Sequence, residues 1–143
     1  MVSLFRFEGE QVEIKVSTEN RRVQVTVVEV TGNIDSAAQT KFEARAEELI
    51  KGGARYILID LTNVPYMSSA GLRALNAIFN KLRKVNGDIG EKELRKRINA
   101  GTYKSPHLKL LNLSEATRTG FETAGFDMFL ETFTDYQKAL ASF

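Results

Sequence analysis

The stretch from Arg55 to Lys84, RYILIDLTNVPYMSSAGLRALNAIFNKLRK, constrains the fold more than any other part of the chain. Tyr56-Ile57-Leu58-Ile59 is an uninterrupted apolar run ended by Asp60. A strand covered on both faces has this pattern, as in a parallel or mixed sheet packed under helices. The turn Leu61 to Pro65 follows, and then Ser68 and Ser69 precede Leu72, Leu75, Ile78, Phe79 and Leu82, apolar residues spaced three or four apart. That spacing predicts an amphipathic helix opened by a serine. A strand therefore delivers two hydroxyls to a helix N-terminus, at the end of the sheet where α/β folds place their sites.

The rest of the chain fits around this unit. Val12, Ile14 and Val16 alternate with polar residues, and Val23, Val25, Val27, Val28 and Val30 form a second β-branched run, so an antiparallel hairpin is expected. Asp35 or Ser36 caps a helix reaching about Ile50, with Ala38, Phe42 and Ala46 inward, and Gly52-Gly53 stops it. Leu108, Leu110, Leu111 and Leu113 mark another buried strand, and a helix opens at Ser114-Glu115 and closes at Ala124-Gly125. Met128-Phe129-Leu130 is read as a last short strand, and Thr134 or Asp135 caps a terminal helix with Tyr136, Ala139 and Leu140 inward. The order β-β-α-β-α-β-α-β-α predicts an α/β fold, a mixed sheet of four to five strands covered by about four helices.

From Val85 to Ser105 the composition changes to VNGDIGEKELRKRINAGTYKS, with a charged two-turn helix expected over Glu91 to Asn99. It is read as a surface insertion, over 86–105, that is mobile or loosely docked on one domain spanning residues 1–143. Between Lys81 and Lys109 nine Lys and Arg stand against three acids, so +6; with +2 for the whole chain, the remainder carries −4. Such a block suits an acidic partner or a membrane surface, or is simply a solvated helix face. Aromatic interleaving is thin, so direct nucleic-acid binding is not expected, and membrane association through the insert is not favoured.

Several functions are argued against by what the sequence lacks. There is no cysteine and one histidine, and no run approaches the roughly 20 apolar residues of a membrane span. The start, MVSLFRFEGEQ, is broken by Arg6, Glu8 and Glu10 and does not read as a secretory signal, so a cytoplasmic location is expected. No Gly-x-Ser-x-Gly elbow and no phosphate-cradling glycine loop occur, and His107, at the start of a strand, is read as an ordinary, partly exposed residue. Neither a catalytic activity nor a cofactor nor a metal is expected.

Three blocks carry a resemblance: Val28 to Asp35 (VEVTGNID), Ile59 to Leu72 (IDLTNVPYMSSAGL), and Leu110-Leu111-Asn112-Leu113 leading to Phe121-Glu122-Thr123-Ala124-Gly125-Phe126. In this order and spacing the chain resembles the STAS domain, the fold of bacterial anti-sigma factor antagonists. That family shows a G-x-(I/L)-D turn, an aromatic-Met-Asp-Ser-Ser-Gly-Leu segment and an F-x-x-(S/A/T)-G-(L/F) helix end. The resemblance implies a binding protein switched by phosphorylation. Unphosphorylated, it binds an anti-sigma factor that is also a serine kinase; the kinase phosphorylates it and a PP2C-type phosphatase reverses this. Matched on Met67 and Gly71, the phosphoacceptor is Ser69, with Ser68 the second choice. Ser68 stands where the family has Asp, and Ala70 where it has a second Ser. The partner-facing set this implies is Asn33, Asp35, Ser36, Tyr66, Met67 and Ser68, with Ser69, Gly71, Leu72 and Arg73. The rival reading within the fold is a scaffold or transport-associated module, for a signalling assembly or a membrane lipid or anion system, with no phosphorylation switch. Read without the resemblance, the two serines cap a helix, Gly71 permits tight packing, and Tyr66 and Met67 are core residues.

Overall fold

The computed structural model describes residues 12–143; the reading of the N-terminal start falls outside the described residues. β1 (Glu13–Asn20) and β2 (Gln24–Thr31) pair antiparallel, with Ile14 opposite Val30 and Val16 opposite Val28. β3 (Ile57–Asn63), β4 (Leu108–Leu111) and β5 (Glu131–Phe133) join in parallel, giving the order β1-β2-β3-β4-β5. The helices are α1 (Ser36–Lys51), α2 (Ser69–Val85), α3 (Glu91–Asn99), α4 (Glu115–Thr123) and α5 (Tyr136–Ala141). This is the expected mixed sheet with helical cover.

The unbroken apolar run in β3 is accounted for by its two faces. Ile57, Ile59 and Leu61 join the larger core under α1, α2 and α4, with Phe42, Leu75 and Phe121. Leu58 points the other way, into a second core closed by α5 through Ala139 and Leu140. Because β2, β3 and β4 run parallel, their C-terminal ends meet at one rim of the sheet. The loops entering α1, α2 and α4 start there.

Three expectations are corrected. Met128-Phe129-Leu130 is not a strand. Phe126–Met128 forms a 3₁₀ turn, Phe129 packs on Phe79 with ring centres 4.7 Å apart, and the strand is the next three residues. The insertion is not loosely docked. Its helix covers the expected residues, but Leu94 and Tyr103 are 5% and 6% exposed within the main core. Tyr103 also donates to Asp88 Oδ2 at 2.6 Å. Finally, His107 is buried instead of partly exposed, stacked near Tyr56 at the start of β4.

Candidate functional site

The rim is built by backbone pairing between two loops that are distant in sequence. Gly32 N–H donates to Asn63 O at 2.9 Å and Ile34 N–H to Tyr66 O at 3.0 Å, while Ser68 N–H donates to Ile34 O at 2.9 Å. Ile34 and Met67 thus form an isolated parallel bridge, which sets the N-termini of α1 and α2 side by side. Gly32 makes the turn with φ 110°, a backbone region that a residue carrying Cβ strongly avoids.

Within this frame the two serines separate. Ser68 is extended and half-buried and is the N-cap of α2: its Oγ accepts from Gly71 N–H and donates to Ile34 O, both at 3.3 Å. A carboxylate there would accept the first bond but have no proton for the second, so a hydroxyl in place of the family's Asp fits this site. Ser69 is the first helical residue and is exposed, and among the described residues its hydroxyl makes no hydrogen bond. No acid lies in the first turn of α2.

The remaining expected residues divide by exposure. Asn33, Ser36 and Arg73 are exposed, and Tyr66 is 47% exposed beside Ser69. Asp35 is half-buried and caps α1, accepting from Ala38 N–H at 3.0 Å. Met67, Gly71 and Leu72 lie beneath the exposed residues of the rim. Met67 and Leu72 are 3% and 8% exposed, and a Cβ on Gly71 would lie 2.5 Å from Met67 Cγ and 2.8 Å from Ile34 O. These three shape the loop from beneath, Gly71 by admitting the Ile34 backbone at close range.

A third loop, from Asn112 to Ser114, borders the site. Asn112 Nδ2 donates to Thr62 Oγ1 and Ser114 Oγ to Pro65 O, each at 2.8 Å, so the turn entering α4 braces the turn entering α2. Asn112 has φ 57°, and an Asn directly after an apolar run is the available signal, because Asn tolerates the left-handed region better than most residues. His107, at the opposite end of the sheet, is not brought to Ser69, so the pair forms no nucleophile–base arrangement. Among the described residues no group of three or more His, Cys, Asp or Glu is placed to hold a metal, and no helix is long and apolar enough to cross a membrane.

A model of the STAS domain family matches residues 15–90, a segment containing both paired loops and the whole of α2. The chain belongs to the STAS domain family. This STAS domain is 31% identical over 96 residues to BtrV of Bordetella bronchiseptica, a candidate anti-sigma factor antagonist, covering 65% of the present chain and 83% of that protein. Its fold is similar to that of an anti-sigma factor antagonist from Mycobacterium paratuberculosis, with TM-score 0.64 and 22% identity over 91% of this chain and 93% of the other. It is also similar to SpoIIAA of Bacillus in its phosphorylated form, with TM-score 0.60 and 17% identity over 90% and 97% of the two chains.

Proposed function

We propose that this STAS domain is a regulatory protein of the anti-sigma factor antagonist type, acting by binding and not by catalysis. Its unphosphorylated form engages an anti-sigma factor that is also a serine kinase, and so governs transcription through a sigma factor in the cytoplasm. Phosphorylation of Ser69 by that kinase ends the complex, and a PP2C-type phosphatase restores it. The observation that carries this reading is the exposed hydroxyl of Ser69, without a partner among the described residues, on a rim built from three loops. The docking rim comprises Asn33, Asp35, Ser36, Tyr66 and Arg73 around the two serines, over Met67, Gly71 and Leu72.

The chemistry of such a switch follows from position. A phosphate adds about −1.5 to −2 charge and three acceptor oxygens. At the first turn of a helix the free N–H groups favour an anion by roughly 0.3–1 kcal/mol when exposed, so the fold tolerates the modification. A partner closed over the same rim meets bulk and like charge, which at an interface cost several kcal/mol. Incubation with the cognate kinase and ATP, followed by intact mass and peptide mapping, tests the reading. One phosphate on Ser69 is expected; no phosphate, or one remote from the rim, refutes it.

The outer face of α3 supports a second reading, a scaffold or membrane-adjacent module. Lys92, Arg95 and Lys96 are exposed there, and among the described residues none of the three is in an ion pair. On that reading binding survives Ser69→Asp and is lost when these cations are neutralised.

A further inference from the structure

Arg73 is a further part of the switch that its surroundings single out. It lies four residues after Ser69 on the uninterrupted helix α2, and residues at i and i+4 are neighbours on a helix surface. An acidic group N-terminal to a basic one is the more favourable order for such a pair. Both side chains are exposed, and Ala70, Gly71 and Leu72 between them carry no charge. Among the described residues the Arg73 guanidinium has neither an ion pair nor a hydrogen bond, whereas Arg83 on the same helix is held by Asn80, Ile89 and Glu91. The carboxylate at the adjoining helix start, Asp35, is engaged with Ala38 N–H.

We propose that Arg73 is the reader in cis of a phosphate on Ser69: its guanidinium closes onto the phosphate oxygens by charge-assisted hydrogen bonds, which a planar fork of donors makes well. The inference rests on Ser69 as acceptor and extends it. Unmodified, the protein presents a mobile cation to the partner from the docking rim. Modified, it presents an anion and also withdraws that cation, so one event changes the rim's charge twice. The partner group facing Arg73 is accordingly a carboxylate.

The test installs phosphoserine at position 69 during translation, with Arg73 kept or replaced as R73Q, so that no kinase is needed. The phosphorus resonance is titrated through the second phosphate ionisation, and the Arg73 Nε–H resonance is followed with and without the phosphate. With Arg73 present the phosphate dianion is favoured, and its proton affinity falls about twofold relative to R73Q. The difference shrinks at about 1 M salt. The Nε–H resonance moves on phosphorylation. Equal titration midpoints overturn the proposal, and so does a midpoint shift with an unmoved guanidinium, which would be charge without contact. Circular dichroism of both proteins verifies that the exposed substitution leaves the fold intact. A kinase that ignores Ser69 would refute the acceptor assignment, whereas equal midpoints refute the role of Arg73 alone.

Discussion

Ser68 and Ser69 are joined by one peptide bond, yet a helix begins between them and gives their hydroxyls different surroundings. Ser68 is committed to Gly71 N–H and Ile34 O, so Ser68→Ala should cost about 1 kcal/mol of unfolding free energy, the usual cost of a lost serine cap. Ser69 is bonded to nothing among the described residues. Ser69→Asp should therefore leave stability within about 0.5 kcal/mol in urea denaturation while weakening partner binding in calorimetry. A Ser69→Asp variant that binds as well as the parent would count against the switch. Gly71 is constrained from both sides, by Met67 Cγ and the Ile34 carbonyl oxygen. The methyl of Gly71→Ala has no free space, and because one obstacle is backbone the loss should reach about 1–3 kcal/mol, again read by denaturation.

At the scale of elements, α3 is held by a polar cluster under its apolar contacts. Burial pushes the Asp88 carboxyl up, but the Tyr103 phenol and the Ile89 N–H, together with His107 and Arg83, outweigh it and hold its pKa below the ordinary range. Burial pushes His107 below its ordinary 6.5, with Asp88 opposing, and its Nδ1 is buried without a hydrogen bond, 3.8 Å from Asp88. A histidine kept neutral in the fold binds fewer protons there than when unfolded. Its contribution is thus present above the unfolded value and is lost as pH falls through the folded one; Asp88 acts in the same direction further into acid. Denaturation midpoints should fall between about pH 7 and pH 5, and H107Q should flatten that slope. Leu94→Ala should cost about 2–3 kcal/mol and speed amide exchange through α3. Unchanged exchange would mean that the insert is not docked.

The sequence made α3 legible as a helix but not as a docked one, because its composition is charged and its fastening depends on Leu94, Asp88 and Tyr103 meeting partners from other elements. Periodicity likewise located α1, α2 and β1 to β4, where one face or two are apolar. It failed at Met128-Phe129-Leu130 because a short apolar run fits a turn packed on Phe79 as well as it fits a strand. At the site, the two serines could be told apart by position in a motif. The hidden parts, the Ile34 carbonyl and the Asn112 and Ser114 braces, are backbone and loop contacts across tens of residues, which no local pattern encodes.

At the scale of the whole molecule, Ser69 and the basic insert stand at opposite ends of α2. Ser69 opens this helix of 17 residues and the insertion follows its last turn, so at 1.5 Å per residue they are roughly 25 Å apart. The Debye length at physiological ionic strength is about 8 Å, so a charge at the far end of α2 is screened from Ser69 by about three such lengths. Charge on α3 can therefore steer encounter but contributes little at the rim itself. Neutralising the three exposed cations together, K92Q, R95Q and K96Q, removes charge without removing Leu94 or Tyr103, so the insert stays fastened. The triple variant should bind the proposed partner within about threefold of the parent at physiological salt, with a shallower dependence of association rate on ionic strength. Ser69→Asp should weaken binding by the same factor in both backgrounds, since well-separated sites behave additively. Loss of binding in the triple variant, with binding retained in Ser69→Asp, would move the working surface from the rim to α3 and replace the switch by a charge-driven scaffold contact.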